Sequence, residues 1–362
     1  MGGIRQRFRR AFTLIELLVV ISIIALLIGI LLPALGNARK EGRALTAASN
    51  LRSIAQGLSA YSIDFRVLPL SYYYQTSGEN PQNWRVSEQF GSGAPNGYLH
   101  WSFFLLATRN TTTTEAFFNP AVPRGGAPRS NPGGNFEDWE TEQTNDLGSG
   151  AGSPTPEDLQ SRRMGFTANY ALMPRNKLAG SATIRRNRFV RPNEADTTLS
   201  GASKTILATE WHYADNWRSL ASTDAEGGQL TIKSHRPVYP FWHGSAGPQY
   251  PDDIPARNFG TREIIEFRYP RVVDSNGQPS GEGIRPVEEV GISAINDRGS
   301  TNLNVVGRSH PGSMDRFGGT TNFLFLDGHV ERLKLVDTIT RRLWGDRIFG
   351  ISGPNRVEPA RN

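Results

Sequence analysis

The hydrophobic positions begin with one uninterrupted apolar run near the N-terminus. From Leu14 to Leu32 the only polar side chains are Glu16 and Ser22, and Pro33 follows directly. A helix over residues 12–32 would be about 31 Å long at 1.5 Å per residue, which is enough to cross the hydrocarbon core of a bilayer. The pattern therefore predicts a membrane-spanning helix at 12–33.

Beyond Pro33 the pattern changes from uniformly apolar to amphipathic. Apolar residues now recur at spacings of three, four or seven, which is typical of a helix with one buried face. We expect this amphipathic helix to cover 34–65, with Pro33 bending the long helix rather than ending it. The predicted stripe consists of Leu35, Ala38, Leu45, Ala48, Leu51, Ile54, Leu58, Tyr61 and Phe65.

After residue 65 the pattern predicts a loop-rich globular domain that extends to residue 362. The clearest element is a hairpin over 321–333, in which Asp327-Gly328 is a pair favoured in a tight type I′ turn. The predicted fold class is α+β, a long N-terminal helix packed on an antiparallel sheet. Further strands are predicted at 182–190, 205–210, 229–233, 262–268 and 302–306, and short helices at 98–107 and 336–344.

Two stretches of this domain are compositionally unusual. Residues 123–160 are of low complexity and rich in Gly, Pro and polar side chains, so we expect a long exposed loop or a subdomain boundary. Residues 66–122 are rich in aromatic side chains, which favours core packing over a carbohydrate-binding surface.

Charge and cysteine content narrow the classes of function. The net charge of +6 includes four arginines within residues 1–11, so a chain cleaved after residue 11 carries only +2. Nucleic-acid binding is therefore not expected. The same arginines predict a cytoplasmic N-terminus with the rest of the chain outside. The absence of cysteine excludes disulfides, thiolate metal sites and a cysteine nucleophile.

Glu16 is the unusual residue of the apolar run. A carboxylate at mid-span costs about 2.5–3.5 kcal/mol on insertion scales, and less near the interface. Either Glu16 lies shallow and reaches the headgroups, or a partner supplies a cation for it.

The stretch Ala11-Phe12-Thr13-Leu14-Ile15-Glu16 resembles the processing site of type IV prepilins and type II secretion pseudopilins. The resemblance implies cleavage between Ala11 and Phe12 by a prepilin peptidase, with N-methylation of Phe12. It also implies that Glu16 neutralises the terminal amine of a neighbouring subunit, and Pro33 falls where pilins commonly carry a kinking proline. The family usually has Gly before the cut, and Ala11 is similarly small.

The resemblance also implies a cellular location and a set of partners. It places the chain in the bacterial inner membrane as a single-pass protein with a periplasmic or extracellular C-terminal domain. The implied partners are the prepilin peptidase, other pilin or pseudopilin subunits, the inner-membrane assembly platform and membrane lipid. The implied role is a structural subunit of a pilus or pseudopilus, without enzymatic activity.

Two export signals compete for the same stretch. Arg9-Arg10 resembles a twin-arginine signal, and Ala34-Leu35-Gly36 is a possible small-residue cleavage site. The apolar run exceeds the 7–15 residues of a signal's central region and contains a glutamate, which favours the prepilin interpretation.

The C-terminal hairpin carries a second resemblance. Residues 318–330 are similar to the C-terminal signature of a group of prepilin-type bacterial proteins with a His…Asp-Gly motif. In that group the His lies about ten residues before the Asp, whereas His310 lies 17 before Asp327. The candidate motif residues are His310, Asn322, Asp327, Gly328 and His329.

Metal and catalytic chemistry have little support in the sequence. His310, Asp327 and His329 are suitable zinc ligands, but the turn already explains Asp327, so we expect no cofactor, with zinc or calcium as alternatives. Glu137-Asp138 and Asp252-Asp253 lack the spacing of a calcium loop. Recognisable nucleophile, zinc-protease, phosphate-loop and dinucleotide motifs are absent. The remaining acid/base candidates look like isolated polar residues: Glu210, His212, His235 and His243.

The alternative function is a membrane-anchored extracytoplasmic domain that binds a ligand or catalyses a reaction and does not polymerise. It predicts a pocket lined by the aromatic residues of 66–122.

Overall fold

The N-terminal helix is the longest element of the fold. In the computed structural model, helix α1 covers Leu14–Phe65, 52 residues with Pro33 inside it. This confirms the predicted helix from residue 14 onward. The structure describes residues 14–74, 97–107, 112–141, 143–145, 149–152, 157–174, 189–196, 201–212, 230–231, 234, 237–241, 254–257, 264–267, 269–278, 284–290 and 302–345.

The chain divides into two compact units, Met1–Gly42 and Arg43–Asn362. In the first unit, the large apolar side chains between Leu14 and Leu35 are all exposed, with exposed fractions from 45% to 78%. An apolar surface of this extent is expected of a segment that faces lipid or other protein chains.

The second unit begins with the buried face of α1. Five residues of the predicted stripe are buried there: Ala48, Leu51, Ile54, Leu58 and Tyr61. The prediction is wrong for Leu45 and Phe65, which are 68% and 53% exposed. The buried face includes Ala44, and Leu45 lies one residue, or about 100°, away from it.

The central sheet of this unit is antiparallel, with strand order β11-β10-β5-β4 and β9 paired to the start of β10. Phe323 of β10 is opposite Glu331 of β11 on one side and Thr209 of β5 on the other. The α+β fold class with a long helix against an antiparallel sheet is thus confirmed. The strands are β4 Phe166–Ala168, β5 Ile206–Glu210, β9 His310–Asp315, β10 Gly318–Phe325 and β11 Val330–Lys334.

Shorter elements surround this sheet. Strand β1 (Tyr72–Tyr74) pairs with β2 (Tyr98–His100), β3 (Gln143–Thr144) with β6 (Leu230–Thr231), and β7 (Ile254–Arg257) with β8 (Ile264–Phe267). The remaining α-helices among the described residues are α2 Trp101–Ala107, α3 Pro192–Asp196 and α4 Leu335–Thr340.

Most of the predicted short elements are found with shifted ends. Strands are confirmed within 205–210, 229–233 and 262–268, and helices within 98–107 and 336–344. Most of the strand predicted at 182–190 lies outside the described residues.

The strand predicted at 302–306 is wrong, because Asn302–Val305 is a 3-10 helix. Buried Asn304 uses its Oδ1 atom to accept from the Arg285 N–H and from Arg308 Nη2, both at 2.9 Å. The Asn304 side chain thus connects this 3-10 turn to the backbone of the loop at Arg285.

The prediction that the loop at 123–160 is exposed is also wrong. Buried residues there include Asn131, Trp139 and Asp158. The Asp158 carboxylate accepts from the Tyr98 N–H at 2.8 Å and from the N–H and side-chain amide of Asn131 at 2.9 and 2.8 Å. Polar residues of low complexity can therefore be buried here, because they satisfy one another.

The aromatic residues of 66–122 pack in the interior where the structure describes their side chains. Tyr72, Tyr98, Trp101 and Phe117 are buried, whereas Phe118 is 44% exposed. The core interpretation is confirmed for these four residues. Trp84 and Phe90 lie outside the described residues.

Candidate functional site

The predicted processing and assembly residues lie in or just before α1. Ala11 and Phe12 fall outside the described residues. Glu16 and Pro33 both lie within α1. By length and composition α1 is able to cross a membrane, and none of its most apolar window is buried.

A buried polar cluster in the second unit is centred on Glu210, at the end of β5. Its side chain and that of His310 are each 1% exposed, and Asn119 and Asn322 are buried beside them. His310 Nε2 donates to the two carboxylate oxygens of Glu210, at 2.7 and 2.9 Å. Asn119 Nδ2 donates to Oε2 at 2.8 Å.

Asn322 contributes two further donors to the same carboxylate. Its backbone N–H and its Nδ2 reach Glu210 Oε1 at 3.1 and 2.6 Å. Nδ2 also donates to the carbonyl oxygen of Ala44 in α1, at 3.0 Å. A carboxylate offers about four lone-pair sites, so this set of donors saturates Glu210.

Strand pairing places His310 beside β10, although it lies 17 residues before Asp327 in the chain. Strand β9 starts at His310, and the chain then turns back into β10, so that His310 is opposite Thr320. The β9–β10 hairpin thus returns the chain to the cluster. The structure thus brings His310 and Asn322 together across two strands.

The remaining motif residues lie at the other end of β10. Thr320, opposite His310, and Phe325, the last residue of β10, are five residues apart, or about 17 Å along the strand. Asp327 and His329 follow that end, so the three suggested zinc ligands are not brought together. Among the described residues, no group of three or more His, Asp or Glu could hold a metal ion.

The turn itself is a three-residue loop and not the predicted type I′ turn. Only Gly328 has a positive φ there, of 92°, because Asp327 stays in the ordinary region. The Phe325 N–H donates to the His329 carbonyl, and the Gly328 N–H donates to the Phe325 carbonyl. This pattern is the usual three-residue hairpin with glycine in the left-handed position.

Asp327 and His329 form a half-exposed pair in this turn. Their Oδ1 and Nδ1 atoms are 2.5 Å apart, and the His329 ring stacks on Phe325 with 4.2 Å between ring centroids. A shallow groove next to the turn is bounded by α1 and by Asp327 and Gly328, with Arg52 and Ile63 on the helix side. The pair orders the turn and leaves its outer edge in solvent.

A buried arginine lies close to the Glu210 cluster along the chain. Arg308 donates through Nη1 to the Arg285 carbonyl at 2.7 Å and through Nη2 to Asn304 Oδ1 at 2.9 Å. Burial lowers the pKa of Arg308 to about 9. Burial, together with the charge of Arg308, lowers the pKa of His212 to about 3.

Sequence reasoning missed Glu210 and Asn119 as partners of the motif. The interpretation of Glu210 as an isolated polar residue is wrong, because Glu210 is the centre of a buried cluster. Its partners His310 and Asn322 are 100 and 112 residues away. The available signal was an acidic residue at the end of a strand whose first three residues are apolar.

Acidic residues that had been considered for calcium have other partners. Asp138 and Glu137 bond to Arg162. Asp252-Asp253, His235 and His243 lie outside the described residues.

Comparison with known proteins identifies the N-terminal segment. Residues 6–32 match the family described as the prokaryotic N-terminal methylation motif. No curated protein and no solved structure matches the chain. The motif indicates a prepilin-like protein that is processed by a prepilin peptidase and anchored in the inner membrane by its N-terminal apolar helix, with the C-terminal domain outside.

Proposed function

We propose that the chain is a structural subunit, minor rather than major, of a type IV pilus or type II secretion pseudopilus. The observation that carries the proposal is the methylation motif at 6–32, which leads into a helix whose apolar side chains from Leu14 to Leu35 are all exposed. Such a surface is covered by lipid before assembly and by other helices after it. A domain of about 300 residues is larger than most pilins carry, which favours a minor or tip position.

Assembly in this proposal depends on charge neutralisation at the helix start. Cleavage between Ala11 and Phe12 leaves Glu16 as the fifth residue of the processed chain. Its carboxylate then pairs with the terminal amine of Phe12 on an adjacent subunit, which offsets the cost of a charge in an apolar environment. The partners are the prepilin peptidase, other subunits and the inner-membrane assembly platform.

The first test is the N-terminal mass of the protein purified from its own membranes. A chain that starts at methylated Phe12 supports the proposal. A start at Met1 would identify an uncleaved anchor, and a start near Asn37 would identify a released soluble protein; either result overturns the proposal.

The second test separates processing from assembly. Glu16→Ala is expected to insert into the membrane and to be cleaved normally, but to be lost from sheared filaments. Ser22→Ala is the matched control, because Ser22 is the other polar residue of the apolar run and its hydroxyl donates only to the Val19 carbonyl in its own helix, at 2.8 Å. Normal incorporation of Glu16→Ala would refute the neutralisation step.

A further inference from the structure

Two chains of hydrogen bonds lead from the Glu210 carboxylate to helix α1. The first passes through Asn322, whose Nδ2 donates to Glu210 Oε1 at 2.6 Å and to the Ala44 carbonyl at 3.0 Å. An amide nitrogen has two hydrogens, so both are used. The side chain of Asn322 therefore fits only when the carboxylate and this carbonyl are both in place.

The second chain of hydrogen bonds passes through the segment that follows Thr114–Phe117. Asn50 of α1 donates through Nδ2 to the Phe118 carbonyl at 2.6 Å and to the Glu115 carbonyl at 3.3 Å. The next residue, Asn119, donates to Glu210 Oε2 at 2.8 Å. Glu210 is thus connected to α1 on both sides, by residues from different parts of the chain.

The two attachment points on α1 are six residues apart, about 9 Å along the helix axis. Moving the helix by one residue, about 1.5 Å and 100°, would bring the equivalent carbonyl of Arg43 or Leu45 to Asn322. The same movement would replace Asn50 by Ser49 or Leu51, so the second attachment would be lost and the register is sensed at Asn50. Two separated contacts also restrict rotation of the helix about its own axis.

Apolar packing alone defines the position of the helix around Ala44 poorly. The buried face there consists of small side chains, Ala44, Ala47 and Ala48, whereas the larger buried side chains begin at Leu51 and continue to Tyr61. One alanine methyl resembles the next, so a displacement of this part of the helix changes its buried apolar surface little. Buried polar groups are costly relative to apolar ones, and their best-attested use is to select one arrangement among several.

We infer that Glu210, Asn322, Asn119 and Asn50 are positioning residues that set the register of the Arg43–Phe65 part of α1 on the sheet. The use of a fixed register in a filament rests on the proposed function. The register itself is a property of the single folded chain and is tested without assembly.

The experiment measures a distance between α1 and the sheet in the full chain, solubilised as a monomer in detergent. The chain has no cysteine, so two introduced cysteines carry spin labels at unique positions. Ile63→Cys labels the exposed far end of α1, and Arg332→Cys labels β11 opposite Asn322. Ala44 marks the place on α1 that bonds to Asn322, the residue opposite Arg332. Ile63 is 19 residues from Ala44, about 28 Å along the helix, and a label separation of this order suits pulsed electron spin resonance.

Asn322→Leu removes both amide donors at similar volume, and Asn50→Ala removes the second attachment. We expect one narrow distance peak in the parent. In each variant the peak should broaden or shift by roughly 1.5–5 Å, between the rise of one residue and that of one turn. A Leu45→Cys/Ile63→Cys pair lies entirely on α1 and should remain unchanged in all variants.

Thermal unfolding of the same samples separates positioning from stability. A lower Tm with an unchanged, narrow peak in both variants would overturn the inference, because the cluster would then only stabilise the fold. If Asn322→Leu fails to fold, Asn50→Ala decides alone, since Asn50 lies at the edge of the buried face. Failure of filament assembly would refute the proposed function and leave this result unaffected.

Discussion

Replacing Glu210 by alanine tests whether the buried cluster has the energetic weight that its geometry implies. Four donor groups converge on the carboxylate: His310 Nε2, Asn119 Nδ2, and the backbone and side-chain nitrogens of Asn322. Glu210→Ala leaves all four without this acceptor, in a site where the side chains of Glu210 and His310 are 1% exposed.

The magnitude follows from the number of orphaned groups. Each buried donor without a partner costs about 1–3 kcal/mol, which gives an upper range of about 4–12 kcal/mol for four. The cavity left by the side chain admits water to some of them, so we expect a loss near the 3–5 kcal/mol typical of breaking a buried pair. This is a large fraction of the 5–15 kcal/mol that stabilises a typical domain.

The assay is denaturant unfolding of the full chain in detergent, followed by the fluorescence of buried tryptophans such as Trp211 and Trp344. Glu331→Ala is the matched control, because its bond to Arg341 is 3.4 Å long and the two side chains are 40% and 49% exposed. That variant should lose less than about 1 kcal/mol. A Glu210→Ala protein as stable as the control would refute the argument.

Two further perturbations test other parts of the structure. Burial lowers the pKa of His100 to about 3, against 6.5 for the unfolded side chain. The contribution of the neutral side chain to stability is therefore fully present above pH 6.5 and is lost as the pH falls from 6.5 toward 3. His100→Asn should therefore flatten the decline of unfolding free energy between pH 7.5 and 5, compared with exposed His329→Asn; an unchanged slope would contradict the burial argument. Gly328 has a φ of 92°, and a Cβ added there would meet open space. Gly328→Ala should therefore lower the free energy of unfolding by about 1 kcal/mol through backbone strain alone, and Gly328→Asn by less. Equal Tm values for Gly328→Ala and the parent would show that the turn tolerates another conformation.

Sequence reasoning succeeded where the determining interactions are local. Helix α1 follows from apolar positions that can be read within a few turns, and the β10–β11 hairpin follows from an apolar run at 323–326 that leads directly into Asp327-Gly328. The predicted turn type was wrong because Asp-Gly also suits a three-residue loop, in which only the glycine needs a positive φ.

Reasoning from composition failed where burial depends on pairing between distant residues. The stretch 123–160 looked exposed because its polar residues were counted singly, whereas Arg163 bonds to Glu140 and Asn131 to Asp158. Glu210 looked isolated for the same reason. Its four donors belong to three residues that lie 91 to 112 positions away, and no local pattern indicates them.

The bond between Asn322 and Ala44 also has a consequence for the order in which the chain folds. It joins residues 278 positions apart, so the first turn of the globular unit acquires its polar partner only when the C-terminal hairpin is available. Contacts between such distant residues carry a high closure entropy and form late. During synthesis the helix emerges first, so its alanine-rich face lacks this polar partner until residues 318–334 have been made.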